Sequence, residues 1–261
     1  MKRSLLIASI LIVLLASSQA ALGSSLKVGA TPVPHAEILQ IIVPILDQQG
    51  ISLEIVEFTD YVRPNLALDE GELDANFFQH VPYLDSFNQD AGTDLAVLVA
   101  VHVEPLGLFS EKHTSLNQLP QRATIAIPND ATNGGRALLL LQEAGLIELD
   151  PKAGIVPTPF DITENKLQIK FFELEAAQLS RSLADVDGAV INGNYALQAG
   201  LNPAQDALFL EGAESPYVNV VAIRAEDQAN DALAKLAAAL LSDEVRLFIS
   251  ESYGGAVVPV F

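Results

Sequence analysis

Short apolar runs alternate with helix-length stretches from residue 26 to the C-terminus, and that alternation limits the fold more than any other feature of the sequence. Candidate strands cover 26–30, 51–58, 95–103, 106–110, 123–128, 167–173, 188–191 and 218–224. A helix is expected over 35–49 with Gly50 just past its end, Pro44 inside it being a site for a kink. Another is expected over 136–144, closed by Gly145, and the chain reads as helical from about 226 to 252. Strands alternating with helices point to an α/β protein with mainly parallel sheets. The chain has 261 residues, enough for one large domain or two modest ones at ~100–200 residues each. Neither a Ser/Gly linker nor a repeat of 20–50 residues interrupts it. One local echo suggests two similar halves. Glu72-Leu73-Asp74-Ala75 precedes Asn76-Phe77-Phe78, and Asp185-Val186-Asp187-Gly188 precedes Ala189-Val190-Ile191-Asn192. Each is an acidic turn followed by a short strand whose end can be aimed at a shared cleft, where open α/β sheets bind ligands.

The N-terminus reads as an export signal. Lys2 and Arg3 precede an apolar run from Leu5 to Leu15, and Ser18 and Ala20 put small residues at the −3 and −1 positions of a cut after Ala20. The run is shorter than the ~20 residues of a membrane span. The whole chain carries −19, and residues 21–261 carry −21, since the leader holds two basic residues and no acidic one. Such a charge keeps an exported protein soluble and monomeric, and it leaves no basic face for nucleic acid. With no cysteine in the chain, disulfide scaffolds, thiolate metal sites and cysteine nucleophiles are all excluded.

Catalytic signatures are missing: there is no G-x-S-x-G elbow, H-E-x-x-H pair, P-loop or G-x-G-x-x-G turn. The four histidines, His35, His80, His102 and His113, show no metal-ligand spacing, and Asp185-x-Asp187-Gly188 lacks the rest of a calcium loop. No cofactor and no metal is expected.

Three segments are polar or aromatic where plain turns would serve. In Asn76-Phe77-Phe78-Gln79-His80-Val81-Pro82-Tyr83, Phe78, His80 and Tyr83 can surround a slender apolar group while His80 offers one hydrogen bond. The alternative is that Phe77 and Phe78 are core and His80 caps a helix; for Phe77 the core reading is preferred. In Pro128-Asn129-Asp130-Ala131-Thr132-Asn133-Gly134-Gly135-Arg136, a strand turns into a helix N-terminus, which suits an anion. Arg136, expected in the first turn, has a planar fork that matches a carboxylate, and Gly134 and Gly135 let the backbone come close. A helix cap plus a solvated arginine is the alternative. Asn192 and Asn219 sit at strand ends, where an amide oxygen can accept from an ammonium; turn duty is the usual role of Asn and is assigned to Asn194. An arginine, amides and aromatics together describe an amino-acid site.

Longer stretches carry a resemblance. They are Val56-Glu57-Phe58-Thr59-Asp60-Tyr61; Leu73-Asp74-Ala75-Asn76-Phe77-Phe78-Gln79-His80 with Pro82-Tyr83-Leu84; Val101-His102-Val103-Glu104-Pro105-Leu106-Gly107; the segment from Pro128 to Arg136; Leu174-Glu175-Ala176-Ala177-Gln178-Leu179; Val190-Ile191-Asn192; Glu214-Ser215-Pro216-Tyr217-Val218-Asn219; and Gly254-Gly255-Ala256-Val257. In this order, over about residues 26–261, the sequence resembles the NlpA/MetQ family, the methionine-binding substrate-binding proteins of ABC importers. The resemblance implies an α/β, two-lobed type II periplasmic-binding-protein fold with a hinged cleft. Lobe I would be 24–104 plus 224–261 and lobe II 105–223, with crossings near Glu104-Pro105 and Arg224. It implies capture of L-methionine or a close analogue and delivery to a membrane permease, with no enzymatic activity. Arg136 would hold the carboxylate with Asn133 in support, and Asn192 and Asn219 the amino group. Tyr61, Phe78, His80, Tyr83 and His102 would enclose the thioether. Family members are usually lipoproteins anchored through a cysteine after the signal; without one, the mature chain is expected free in the periplasm. An exported enzyme using His80 or His102 as base, and an adhesin with a vestigial pocket, are the competing readings.

Overall fold

Two sheets, each with its own apolar core, carry the fold in the computed structural model, which describes residues 24–212 and 215–261. The expected leader at 1–20 lies outside the described residues. The first half runs β1 (Ser24–Ala30), α1 (Glu37–Asp47), β2 (Ile51–Glu57), α2 (Arg63–Asp69), β3 (Ala75–His80), α3 (Val81–Ala91) and β4 (Leu95–Val103). The chain then enters a second half: β5 (Gly107–Phe109), β6 (Thr124–Pro128), α4 (Ala131–Glu143), β7 (Glu148–Leu149), β8 (Ile162–Glu164), β9 (Lys170–Leu174), α5 (Leu179–Ser182), β10 (Gly188–Ile191), α6 (Gly193–Gln198), α7 (Pro203–Asp206) and β11 (Phe209–Leu210). It returns as β12 (Val218–Arg224) and finishes with α8 (Asp231–Leu240), α9 (Asp243–Ser252) and β13 (Val258–Pro259).

Strand order is β13-β4-β12-β3-β1-β2 in the first sheet and β11-β5-β10-β6-β9 in the second, with β7 and β8 forming a separate pair. The sheets are mixed, which corrects the expectation of mainly parallel pairing. β1 pairs with β2 and β3, and β6 with β9 and β10, in parallel. β12 runs against β3 and β4, and β5 runs against β10 and β11. Topology gives the reason. β5 and β12 are the strands that arrive from the other half, so each begins at the cleft, where its neighbours end.

The same pairing moves one expected boundary. β12 was expected in lobe II up to residue 223, but it lies between β4 and β3 in the first sheet. The return crossing therefore falls between β11 and β12, not near Arg224. At the C-terminus, the expected single helix is broken because Asn230 and Ser242 each cap a new one.

In the first core, Val28, Phe77 and Val221 from the sheet meet Leu39 and Ile42 of α1 and Leu236 and Ile249 of α8 and α9. In the second, Ile125, Ile127 and Val190 meet Leu138 and Leu141 of α4. Truncating any of these to alanine removes buried apolar volume at a cost of ~2–5 kcal/mol. Among the described residues no helix is long and apolar enough to cross a membrane.

Candidate functional site

The two sheets face each other across a narrow cleft. Tyr61, Phe78, His80 and Tyr83 line it from the first half, and Asn133, Arg136, Asn192, Gly193 and Asn194 from the second. Glu104 and Asn219 line it from the ends of the segments that join the halves. The echo noted in the sequence is visible here: β3 ends in His80 and β10 ends just before Asn192, one from each side. Hydrogen bonds that span the cleft include Tyr61 Oη to Asn194 Oδ1 at 2.6 Å, His80 Nε2 to Asn133 Oδ1 at 3.1 Å, and Tyr195 Oη to the Thr59 carbonyl at 3.1 Å. The conformation is closed.

A chain of hydrogen bonds fixes which way each polar group points. Asp130 caps α4, accepting from the Asn133 backbone N–H, and also takes both contacts of Asn133 Nδ2, at 2.9 and 3.1 Å. Asn133 Oδ1 is therefore turned to accept. It receives Asn192 Nδ2 at 2.7 Å and the His80 Nε2–H. His80 must carry its proton on Nε2, because Nδ1 accepts the Tyr83 backbone N–H at the start of α3. Both readings of His80 thus hold, as helix cap and as cavity wall. Burial, helped by the Arg136 charge, pushes its pKa down to about 3, so it stays neutral. With its Nδ2 committed to Asn133, Asn192 presents Oδ1 as a buried acceptor that has no partner among the described residues.

Arg136 sits in the second turn of α4, not the first, and is 3 % exposed. The helix N-terminus is already capped by the Asp130 carboxylate, which leaves the arginine side chain as the group of this segment that can receive an anion. Gly135 lets α4 pack directly on the 155–157 loop, since a Cβ there would stand 2.7 Å from Val156 Cα. The guanidinium forks onto Glu211: Nε donates to Oε1 at 2.9 Å, and Nη2 donates to Oε2 and to the Glu104 carbonyl, the latter at 2.9 Å. Its carbon lies 4.2 Å from the Tyr217 ring centroid. Glu211 holds Nε and Nη2, and Nη1 makes no hydrogen bond to the described residues.

The aromatic wall is built from Tyr61, whose ring centroid lies 5.8 Å from those of Phe78 and Tyr83. Phe77 is core, edge-on to His35 at 4.6 Å. His102 was expected in this wall and is not there. It lies on β4 behind Glu104, fully buried, with Nε2 2.8 Å from Glu104 Oε1. Asn194, read as a turn residue, lines the cavity and receives the Tyr61 hydroxyl. The sequence reading also missed Glu104, Gly193, Glu211 and His35. A buried carboxylate inside an otherwise apolar strand end, His102-Val103-Glu104-Pro105, was the available signal for the first.

His35, His102 and Glu104 form a grouping that offers three ligand atoms within 4.8 Å of one another. Hydrogen bonds close it. Thr31 Oγ1 lies 2.7 Å from His35 Nδ1, and His35 Nε2 is shared between Asn219 Oδ1 at 3.2 Å and Glu104 Oε1 at 3.3 Å. Both partners of that Nε2 are acceptors, so it carries the proton and Nδ1 accepts from Thr31. Burial lowers the pKa of His35 to about 4 and that of His102 to about 3. Burial raises the Glu104 carboxyl, opposed by His35 and by a backbone N–H of Asn194.

Residues 26–261 match the model of the NlpA lipoprotein family. The chain is 42% identical over 236 residues to the D-methionine-binding lipoprotein MetQ of Escherichia coli K12, covering 89% of this chain and 87% of that protein. A nutrient binding protein of Burkholderia cenocepacia, solved bound to methionine, superposes with a TM-score of 0.88 at 45% identity, over 90% of this chain and 100% of its own. An ABC transporter periplasmic substrate-binding protein of Coxiella burnetii superposes with a TM-score of 0.87 at 43% identity, over the same shares. The two-lobed periplasmic-binding fold is that of these solved proteins. The expectation of a free, unanchored periplasmic protein is overturned by the same findings: the family and the E. coli relative are named as lipoproteins. With the family match running over nearly its whole length, the chain belongs to the NlpA lipoprotein family.

Proposed function

We propose that this protein is a methionine-binding, substrate-binding protein that shuts its two halves over the amino acid and hands it to the permease of an ABC importer. The observation that carries this is the pairing of Arg136 with the unpartnered Asn192 Oδ1 on one closed cavity. Arg136 offers a cation to a carboxylate and Asn192 Oδ1 an open acceptor to the ammonium on the same carbon, while Tyr61, Phe78, His80 and Tyr83 supply an aromatic wall for the side chain. Aromatic faces and edges contact a thioether sulfur at ~0.3–1.5 kcal/mol each.

In this reading the lobes are 24–104 with 218–261, and 105–217, and the protein works as a monomer. Bonds such as Tyr61 to Asn194 exist only when the cleft is shut, so a ligand that touches both halves selects the closed state. The site serves binding, not turnover. His80 has an acceptor on Nε2 and a donor on Nδ1, which leaves no lone pair for a base. The methionine-bound relative and the importer component of Coxiella support the ligand and the partner. The test is calorimetric titration of unfolded-and-refolded, ligand-free protein with L-methionine, D-methionine, methionine sulfoxide and the other amino acids. Selective binding of a methionine enantiomer is expected; equal affinity for leucine, or no binding at all, refutes the assignment.

A further inference from the structure

We infer that Asn65, Asn76 and Gln79 are positioning residues for the aromatic wall: their buried amides hold a β-bulge at Phe78 and the turn that carries Tyr61 in one arrangement, and discrimination of side-chain length depends on that lock. This rests on the methionine reading above and extends it to residues behind the wall. The observation is a hydrogen-bonded ring where apolar packing would serve. Asn65 Nδ2 donates to Gln79 Oε1 at 2.8 Å, and Gln79 Nε2 donates back to Asn65 Oδ1 at 2.7 Å. Asn76 Nδ2 donates to the same Asn65 Oδ1 at 2.8 Å and to the Pro64 carbonyl at 3.1 Å, and Gln79 Nε2 also donates to Asn76 Oδ1 at 2.9 Å. Asn65, Asn76 and Gln79 are 0 %, 0 % and 3 % exposed, and every amide nitrogen and oxygen among them has a partner.

The backbone shows what the ring holds. Asn76 and Gln79 are three apart on β3, and at that spacing the side chains of a regular strand leave opposite faces. Here they touch because the strand is bulged between them. While β12 advances one residue, from Val220 to Val221, β3 passes from Gln79 to Phe77, so Phe78 is the extra residue and has no register partner. A bulge re-aims the side chain it carries. Phe78 lines the cavity beside Tyr61, with ring centroids 5.8 Å apart, and Phe77 stays in the core. The third amide ties in α2. Pro64 and Asn65 belong to its first turn, and Asp60 Oδ1 accepts the N–H groups of Val62 and Arg63 at its start, at 2.9 and 2.8 Å. Tyr61 lies within that turn, so fixing α2 on β3 fixes Tyr61 against Phe78.

Orientation and stability separate here. Replacing all partners of a buried hydrogen-bonded group by apolar side chains of the same shape is close to neutral for stability, so the fold itself does not need these amides. They add direction: a fully satisfied buried network specifies one arrangement, whereas a bulge held only by apolar contacts can move by a residue and exchange the places of Phe77 and Phe78.

The test uses Asn65→Leu/Asn76→Leu/Gln79→Met, which keeps the shapes and removes the ring. It is titrated beside wild type with methionine, ethionine and 2-aminobutyrate, which share a head group and differ in side-chain length. Wild type is expected to prefer methionine over each of the others by about 10- to 200-fold. The triple variant is expected to keep its Tm while that preference falls below about fivefold. Wild-type ratios in the variant overturn the inference, and so does an equal loss for all three ligands, the mark of a merely structural role. Asn65→Ser leaves every lining residue in place and is expected to lower the same ratios by about threefold or more; unchanged ratios there overturn the inference whether or not the triple variant folds. Wild type that binds methionine but does not distinguish it from the other two refutes this inference alone. Wild type that binds none of them refutes the methionine assignment and this inference with it.

Discussion

Replacing Arg136 by alanine should produce two losses that can be read separately. The guanidinium is 3 % exposed and makes three hydrogen bonds, two to Glu211 and one to the Glu104 carbonyl. Without it, Glu211, whose side chain is 14 % exposed, keeps a charge with no cation beside it, its remaining contact being the Leu106 backbone N–H at 3.2 Å. Breaking a fully buried pair costs ~3–5 kcal/mol, and the residual exposure brings this nearer ~2–3. In a protein of this size that lowers the ligand-free Tm by roughly 5–10 °C. Separately, the ligand carboxylate loses its cation, at ~2–5 kcal/mol or about 30- to 5,000-fold in Kd. Adding Glu211→Gln removes the stranded charge but restores nothing to the ligand. The double variant should recover most of the lost Tm in a calorimetric scan without recovering affinity in a titration. An Arg136→Ala variant within threefold of wild-type affinity would falsify the carboxylate assignment. A double variant that regains binding would show instead that Glu211, and not the ligand, is the true partner of Arg136.

Further perturbations test other parts of the site. Tyr61→Phe removes the 2.6 Å bond to Asn194 across the cleft and should cost ~0.5–1.5 kcal/mol of closed-state stability, weakening methionine binding about three- to tenfold; small-angle scattering of the ligand-free variant should show a larger radius, and an unchanged one would count against the cleft-closing role. Gly193→Ala places a Cβ 2.8 Å from that of Glu104, so overpacking of ~1–3 kcal/mol should lower the Tm and the affinity together; retention of both would mean that the contact relaxes freely. Acid should destabilise the protein through its histidines. His35, His80 and His102 have folded pKa values of about 4, 3 and 3, below the unfolded value of about 6.5. The unfolded chain therefore binds more protons, and stability is complete above pH ~6.5 and falls toward pH 4 by up to ~1.4 kcal/mol per unit for each histidine. The raised carboxyls of Glu104 and Asp130 oppose this in part. Melts that stay flat from pH 7 to 5 would contradict neutral burial of the three rings.

Much of the architecture was legible because strand patterning is local. The strands at 95–103, 188–191 and 218–224 have the limits expected from their apolar runs. What patterning could not give is direction and membership. β12 reads like any buried strand, and only its pairing with β3 and β4 reveals that it belongs to the first sheet and runs backwards. The site followed the same division. Tyr61, Phe78, His80, Tyr83, Asn133, Arg136, Asn192 and Asn219 all reach one cavity. His102 does not: Glu104, two residues on and just past the end of β4, reaches the space, and His102 stays buried against it with Nε2 2.8 Å from Oε1. Glu211 was invisible as a partner of Arg136, since a carboxylate 75 residues away has no local signature in a chain with 33 acidic residues.

The two passages between the halves supply more than a hinge. Glu104 lies on one and Glu211 and Tyr217 on the other, Asn219 follows within two residues, and Arg136 of α4 donates to both passages, so in the proposed reading the head-group end of the site is anchored on the seam of the molecule. The residues proposed to address the side chain sit away from it, on β3, α3 and the loop before α2. Specificity is thus separable in the gene. Recombination that exchanges whole halves would disrupt head-group capture, whereas point changes at Tyr61, Phe78 or Tyr83 can retarget the wall while leaving the seam untouched. A library for new amino-acid sensors is best confined to those flank positions.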